Sequence, residues 1–425
     1  MAFNSSCFFI CSQIRLILLY CLQFGGNIHI DTLQFSSKMN SINMFKRAIE
    51  GKIQEYLKGE DYKTFYIWGP RRSGKTTLLQ QLASKLNVAV FNFDFSSDHE
   101  RFKPDRDTLE KLVAENQVIL IDEVQNYPQA TVALKLLHDE FKAKVVATGS
   151  SELKQKGKEF DTQVGRFTEH YCLPLSIFEI KENSSFKKYD ENVFDKKLLE
   201  NLQIFGSYPE VYAAETRSGE EKSKLLENIV NTYVLKDVID IYNLKNEKLA
   251  RDILTKIALQ LGSEVSIREI AASLGSNGIT VANYIEIFIK NYILIPLSSF
   301  KTNTRKAVSE NRKLYFYDLG VRNALVKDFR ETRLRPDQGG LFENFIILEI
   351  EKQRKNMEAQ RNLYFYREYG GKEVDLVIED YFKRYNCVEM KLQRQGGNKD
   401  IFPIPHTFTT IDSNNYSSIL KNVIP

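Results

Sequence analysis

The sequence is short of several things, and each shortage removes a class of protein. Cysteine is scarce, with five residues in 425. Cys7, Cys11 and Cys21 crowd the amino end, and Cys172 and Cys387 stand alone. Neither an even disulfide framework nor paired metal-ligand spacing can be drawn from them, which fits a reducing cytosol. Charge of one sign is also scarce. The net charge is +4 with a pI near 8.5, too mild to argue by itself for a nucleic-acid partner. Long apolar runs are missing. Phe8–Cys11 and Leu16–Leu22 come nearest, but Ser12, Gln13 and Arg15 break them, and they fall short of the ~20 residues of a membrane span. No Lys or Arg precedes Arg15, so a secretory signal lacks its basic start. Residues 1–43 are set apart as an amino-terminal extension, read as a start codon placed upstream of Met39 or Met44. A membrane anchor is the other reading.

What remains is ordinary for a globular chain: 43% hydrophobic and 27% charged residues, over a length that suits about three domains. The rest is organised around Gly69-Pro70-Arg71-Arg72-Ser73-Gly74-Lys75-Thr76, a complete G-x-x-x-x-G-K-[ST] loop, with Thr77 following. Thr64–Trp68 before it reads as a buried strand, and Thr77–Leu86 after it as a helix with leucines on one face. Gly69 and Gly74 let the backbone curl so that N–H groups point at a phosphate, and the following helix adds its positive end. Lys75 is placed for the β- and γ-phosphates and the Thr76 hydroxyl for Mg²⁺. Val118–Ile121 is an apolar run ending in Asp122 and Glu123, the pattern of a buried parallel strand. Asp122 then belongs to the Mg²⁺ shell, and Glu123 is placed to polarise the attacking water.

Strands at 88–94 and 144–151 alternate with helices at 108–115 and 130–141, which predicts a parallel sheet covered on both faces. Thr148 and Ser150 fall at a strand's carboxyl end, where a polar sensor of the γ-phosphate belongs; simple turn chemistry is the other reading. Gly165-Arg166 offers a cation for the charge of γ-phosphate cleavage, in its own subunit or a neighbour, or else a surface arginine.

Residues 177–249 are charged and helical, a lid or connector. Within 252–325, a helix capped by Ser266 ends at Gly275 and a second begins near Thr280. Strands at 293–297 and 313–317 flank a basic loop. Two helices and a hairpin make a winged helix, which reads DNA or docks a protein. Lys301, Arg305, Lys306, Arg312 and Lys313 are its candidate phosphate contacts. Last comes an amphipathic helix carrying Glu343, then strands at 363–366, 372–378 and 386–391 with Asp375, Glu389 and Lys391. Period two puts Glu389 and Lys391 on one face. Two acids and a lysine on a sheet edge suit Mg²⁺-assisted phosphodiester cleavage, and a half-exposed strand pair accounts for the same pattern.

Taken in order, these constellations resemble a large prokaryotic family joining an AAA-like, STAND-related P-loop ATPase to a winged helix and a C-terminal domain of the PD-(D/E)xK nuclease superfamily. The resemblance runs from Met44 to Lys391. Its further carriers are Ile-Asp-Glu-Val-Gln at 121–125, Pro-Leu-Ser at 174–176, Tyr-Pro-Glu at 208–210, Tyr-Phe-Tyr-Asp-Leu-Gly at 315–320 and Glu-Asn-Phe at 343–345. It implies an α/β fold: a parallel-sheet P-loop core (44–180), a helical lid (181–251), a winged helix (252–330) and a restriction-endonuclease-like α/β domain (338–425). It implies ATP and Mg²⁺ as cofactors, ATP hydrolysis, a cytoplasmic location without membrane contact, and a place for Arg166 near the γ-phosphate. The partner is DNA in one reading. In the other it is a protein or a second copy, met by an ATP-held signalling switch with a silent C-terminal domain. After Lys391 the chain departs from the family pattern, so the end of the nuclease-like sheet is expected to be trimmed.

Overall fold

The computed structural model describes residues 45–150, 165–184, 191–213, 217–238, 244, 246–301, 312–368, 371–392 and 401–424, all within the unit Phe45–Pro425. Arg305 and Lys306 of the basic loop lie outside the described residues. The fold is mixed α/β, with a parallel sheet in the amino-terminal half and helices and a second sheet in the carboxyl-terminal half.

The first sheet contains β1 (Thr64–Trp68), β2 (Val90–Asn92), β3 (Ile119–Asp122), β4 (Val145–Gly149) and β5 (Phe167–Tyr171), ordered β2-β3-β4-β1-β5 and parallel throughout. Strand periodicity sorts its side chains. Phe65, Ile67, Leu120 and Val146 pack with Ile49 and Ile53 of helix Ile49–Lys58 and with Leu78 and Leu79 of helix Lys75–Leu86. Tyr66, Trp68, Ile119, Ile121, Val145 and Ala147 point the other way, against Leu109 and Leu112 of helix Arg106–Glu115 and Leu134 and Leu137 of helix Ala130–Asp139. Every residue of β1, β3 and β4 is buried, as expected of central strands covered on both faces. The expected strand at 88–94 is only three residues long. The fifth strand was not expected: Phe-Thr-Glu-His-Tyr is half-exposed and pairs only with β1.

The second sheet has seven strands: β6 (Glu264–Val265), β7 (Leu294–Ser299), β8 (Arg312–Phe316), β9 (Asn362–Arg367), β10 (Glu373–Glu379), β11 (Tyr385–Met390) and β12 (His406–Ile411). They are ordered β12-β11-β10-β9-β7-β8-β6. The hairpin β7–β8 is thus continuous with the C-terminal strands through a parallel β7–β9 join. Before the hairpin, Ser266 caps helix Ile267–Ser273 by accepting from the Glu269 N–H, and helix Gly278–Lys290 buries Val281, Tyr284, Ile285 and Phe288. The sheet continues past Lys391. β12 adds in parallel to β11, and helix Tyr416–Val423 closes over it with Tyr416, Leu420 and Val423 buried.

The segment expected as a lid is helical, with Glu191–Phe205, Pro209–Tyr212 and Gly219–Ile229, the last running into a π-helical stretch at Val230–Asp237. Among the described residues no helix is long and apolar enough to cross a membrane.

Candidate functional site

The parallel register sets the carboxyl ends of β1, β4 and β3 side by side: Trp68 is level with Gly149, and Ile121 with Ala147. Loops leaving that edge meet there. Gly74 stands at φ +97° and caps the helix that begins at Lys75. Gly69 meets a different constraint, since a Cβ there would lie 2.0 Å from the Cys172 carbonyl oxygen. One glycine serves the turn and the other a close backbone approach.

The Lys75 ammonium is buried and donates to the carbonyls of Gly69 and Pro70, both at 2.8 Å. Burial lowers its pKa, against the pull of Glu123 and Asp122. Thr76 and Thr77 are exposed on the first helical turn. Arg72, at φ +62°, pairs with Glu210 at 3.2 Å, so the Tyr208-Pro209-Glu210 turn touches the loop. Asp122 is 2% exposed, and its Oδ1 accepts from the Thr148 hydroxyl. Glu123 follows in left-handed backbone at φ 53°. Its carboxylate accepts from Gln125 Nε2, while Gln125 Oε1 accepts from the Ser150 N–H at 3.3 Å. The sequence reading included Gln125 in the 121–125 motif but gave it no role; the signal was its place two residues after Glu123.

Two buried hydroxyls, Ser73 Oγ and Ser150 Oγ, have no hydrogen-bond partner among the described residues. A buried polar atom left unpaired is costly; one of these lies in the phosphate loop and the other just past the β4 tip. With the glycine cradle and the Lys75 ammonium, this donor set fits a nucleotide's phosphates. Thr76 and Asp122 offer the oxygen ligands that Mg²⁺ takes.

Arg166 lies elsewhere. Its carbonyl accepts from the Thr64 N–H at 2.9 Å, at the amino end of β1. The phosphate loop leaves the other end, roughly 13 Å along the strand at ~3.3 Å per residue. Its guanidinium grips Asp139 with Nε at 2.7 and 3.0 Å from the two oxygens, and that hydrogen bonding holds the Asp139 carboxyl down at about 2. Of the three readings of Arg166, its own γ-phosphate, a neighbour's, or a surface arginine, this position speaks against the first and leaves the other two. Adjacency of Gly and Arg in sequence does not say which end of a sheet they reach.

A second cluster forms between the hairpin and the C-terminal sheet. Asp375 sits where the β10–β9 register shifts, in a bulge that re-aims its side chain. Its Oδ2 accepts from the Met390 N–H at 2.7 Å. Burial first, then the charges of Glu343 and Glu389, push its pKa up to about 7. Glu389 pairs with Lys391 at 2.7 Å. The four sequence candidates are thus electrostatic neighbours. Among the described residues, however, no group of three His, Cys, Asp or Glu is disposed to hold a metal ion. Lys313, expected on the surface of a basic wing, is 1% exposed and lies among these acids. Arg312 is turned onto Glu286.

Residues 61–181 match the family model of an AAA domain; 196–332 and 338–412 match two domains of unknown function, DUF8612 and DUF4143. The chain is 27% identical over 369 residues to an uncharacterized protein of Methanocaldococcus jannaschii, covering 82% of this chain and 77% of that one. It is 22% identical over 354 residues to an uncharacterized protein of Haemophilus influenzae, covering 79% and 82%. Among solved structures, the Thermotoga maritima RuvB Holliday junction branch migration motor aligns at 18% identity and a TM-score of 0.29, covering 59% of this chain and 89% of that one. The phosphate loop and the parallel sheet thus lie within the stretch, 61–181, that is similar to an AAA domain.

Proposed function

We propose that the protein is a Mg²⁺-dependent ATPase whose nucleotide state repositions its carboxyl-terminal half. The observation that carries this reading is the convergence of Lys75, Asp122, Glu123 and Thr148 on one sheet edge, beside the unpartnered Ser73 and Ser150 hydroxyls. Lys75 and the loop N–H groups hold phosphate charge. Thr76 and Asp122 are the residues that would hold Mg²⁺, which supplies charge neutralisation when bound. Glu123 orients and polarises a water, held through Gln125 to the β4 tip. Thr148 and Ser150 read the γ-phosphate from the neighbouring strand. Arg166 serves a site only if that site belongs to a neighbouring subunit. The setting is cytoplasmic.

For the second half, an ATP-held switch that binds a protein partner is favoured over action on DNA through a winged helix. Of the basic residues proposed as phosphate contacts, Lys313 is buried among acids and is not offered to a duplex, while Arg312 is paired with Glu286. The test is ATP turnover by the full chain, with and without duplex DNA, beside Glu123→Gln. Loss of turnover by roughly 100-fold with nucleotide binding kept is expected for that variant. Wild-type turnover in it would remove Glu123 from the chemistry. Stimulation by DNA would overturn the switch in favour of a nucleic-acid motor.

A further inference from the structure

Burying an ammonium is costly unless carboxylates meet it. Lys313 is buried, and strand geometry places it there: on β8, Leu314 and Phe316 face the helical core, while Lys313 and Tyr315 face the opposite way. Lys313 Nζ lies 3.1 Å from Glu343 Oε1 and also pairs with Glu373. The Tyr315 hydroxyl donates to the same Glu343 oxygen at 2.5 Å. The Glu343 carboxylate is wedged against Gly262, where a Cβ would come within 2.7 Å of it. Glu373 also accepts from Arg367 Nε at 2.8 Å, and Arg367 reaches Glu264 of β6 at 2.9 Å. Lys391 neutralises Glu389. Of the four acids of this cluster, Asp375, Glu343, Glu373 and Glu389, the last three therefore already hold a protein cation.

We propose that Lys313 is the resident cation of this carboxylate cluster, standing in place of a divalent metal, so that the C-terminal sheet takes up neither Mg²⁺ nor Mn²⁺ while β8 stays paired with β7. An ammonium and a divalent ion cannot share the same two carboxylates without strong like-charge repulsion. The lysine arrives from the hairpin, thirty residues before Glu343, and belongs to no Asp…Glu-x-Lys pattern. The cluster joins the hairpin to the sheet by charge, and phosphodiester cleavage there is closed. This goes beyond the ATPase reading and does not depend on it.

The test is Mn²⁺ uptake by the nucleotide-free full chain, read from the electron paramagnetic resonance signal of free Mn²⁺. Wild-type protein is expected to bind no Mn²⁺ that disappears on Glu343→Gln. Lys313→Met is expected to gain one site, binding at least ten-fold tighter, and Lys313→Arg to gain none. One equivalent bound by wild-type protein and lost on Asp375→Asn would overturn the proposal. So would a folded Lys313→Met that gains nothing. If Lys313→Met does not fold, Lys313→Gln, which keeps a donor for Glu343, is read by the same criteria. Since no nucleotide is present, failure here leaves the ATPase reading standing, and failure of ATP turnover leaves this one standing.

Discussion

Arg47 donates from Nη1 to the backbone carbonyl of Ser73 at 2.6 Å, fastening the phosphate loop from behind. The same guanidinium reaches Glu179 through Nε at 2.9 Å and the Leu173 carbonyl through Nη2 at 2.5 Å. Glu179 in turn closes a capping box with Ser176, and the next N–H, that of Ile177, donates to Glu349 at 2.9 Å. Glu349 holds Lys352, which donates to the Ser207 hydroxyl at 2.9 Å. A buried polar chain thus runs from the loop to helix Gln338–Asn356.

Replacing Arg47 with Met leaves the buried Glu179 carboxylate without its cation, held only by the Ala48 and Ser176 N–H groups and the Ser176 hydroxyl. A loss of about 3–5 kcal/mol in urea unfolding is expected, with weakened nucleotide binding in whatever remains folded. Arg47→Lys should not restore it, because one ammonium cannot reach three acceptors in three directions. An Arg47→Met protein of wild-type stability would show that the link carries no load.

Lys75→Ala removes the one ammonium inside the loop. A charge-assisted hydrogen bond is worth about 1.5–3 kcal/mol, so fluorescent ATP-analogue binding should weaken by roughly 10- to 100-fold. Unchanged affinity would argue against a phosphate seat at this loop.

Gln125→Ala frees the Glu123 carboxylate from the β4 tip without touching the loop. Turnover should fall by roughly 10- to 100-fold while nucleotide affinity changes little, the signature of a lost orientation. Parallel loss of affinity would place Gln125 in binding instead.

Gly69→Ala drives a methyl into the Cys172 carbonyl, a backbone atom that cannot swing aside. A cost of about 3 kcal/mol is expected in thermal unfolding, together with a misshapen loop. A neutral outcome would mean that the Cys172 segment yields.

Asp318 caps helix Leu319–Val326 and accepts from the Ser207 N–H at 2.7 Å. Burial raises its pKa from 3.8 to about 6, against these hydrogen bonds and Lys352. The folded protein therefore binds this proton more tightly than the unfolded chain does. The stability this gives is full below pH ~4 and is lost as pH rises through ~6, by about 3 kcal/mol. The stability of wild type minus that of Asp318→Asn should shrink by that order between pH 4 and pH 7. A difference that grows with pH would reverse the sign assigned to this carboxyl.

Local patterns were the legible part. The loop needs eight consecutive residues and the Asp122-Glu123 strand six, so both could be read directly, as could the alternation that makes a parallel sheet. Relations across the sheet were not legible. Phe167–Tyr171 hides as a strand because only its pairing with β1 keeps it there, and its faces are mixed. His406–Ile411 is rich in Thr and half-exposed, so it carries no apolar alternation to announce it. Arg166 was placed by its neighbour in sequence, whereas strand direction decided its end of the sheet. Lys313 was read as a surface cation because most lysines are; its burial follows from Glu343 and Glu373, 30 and 60 residues further on. Gln125 was legible as part of a motif but not as a partner of Glu123, because an amide in a short turn looks like any other.

The β7–β9 join rests on two register pairs, Ser298 with Tyr364 and Ser299 with Phe365, extended by the Phe300 N–H donating to the Phe365 carbonyl at 2.6 Å. Paired strands do not slide by fractions: a shift either keeps register or breaks whole pairs and turns side chains to the other face. The hairpin and the C-terminal strands therefore rotate together as one plate, or part along a seam two pairs long. Torque applied to helix Gln338–Asn356 reaches both sides of that seam at once. It also spends, inside the molecule, the strand edge that a free-standing hairpin would offer to another chain.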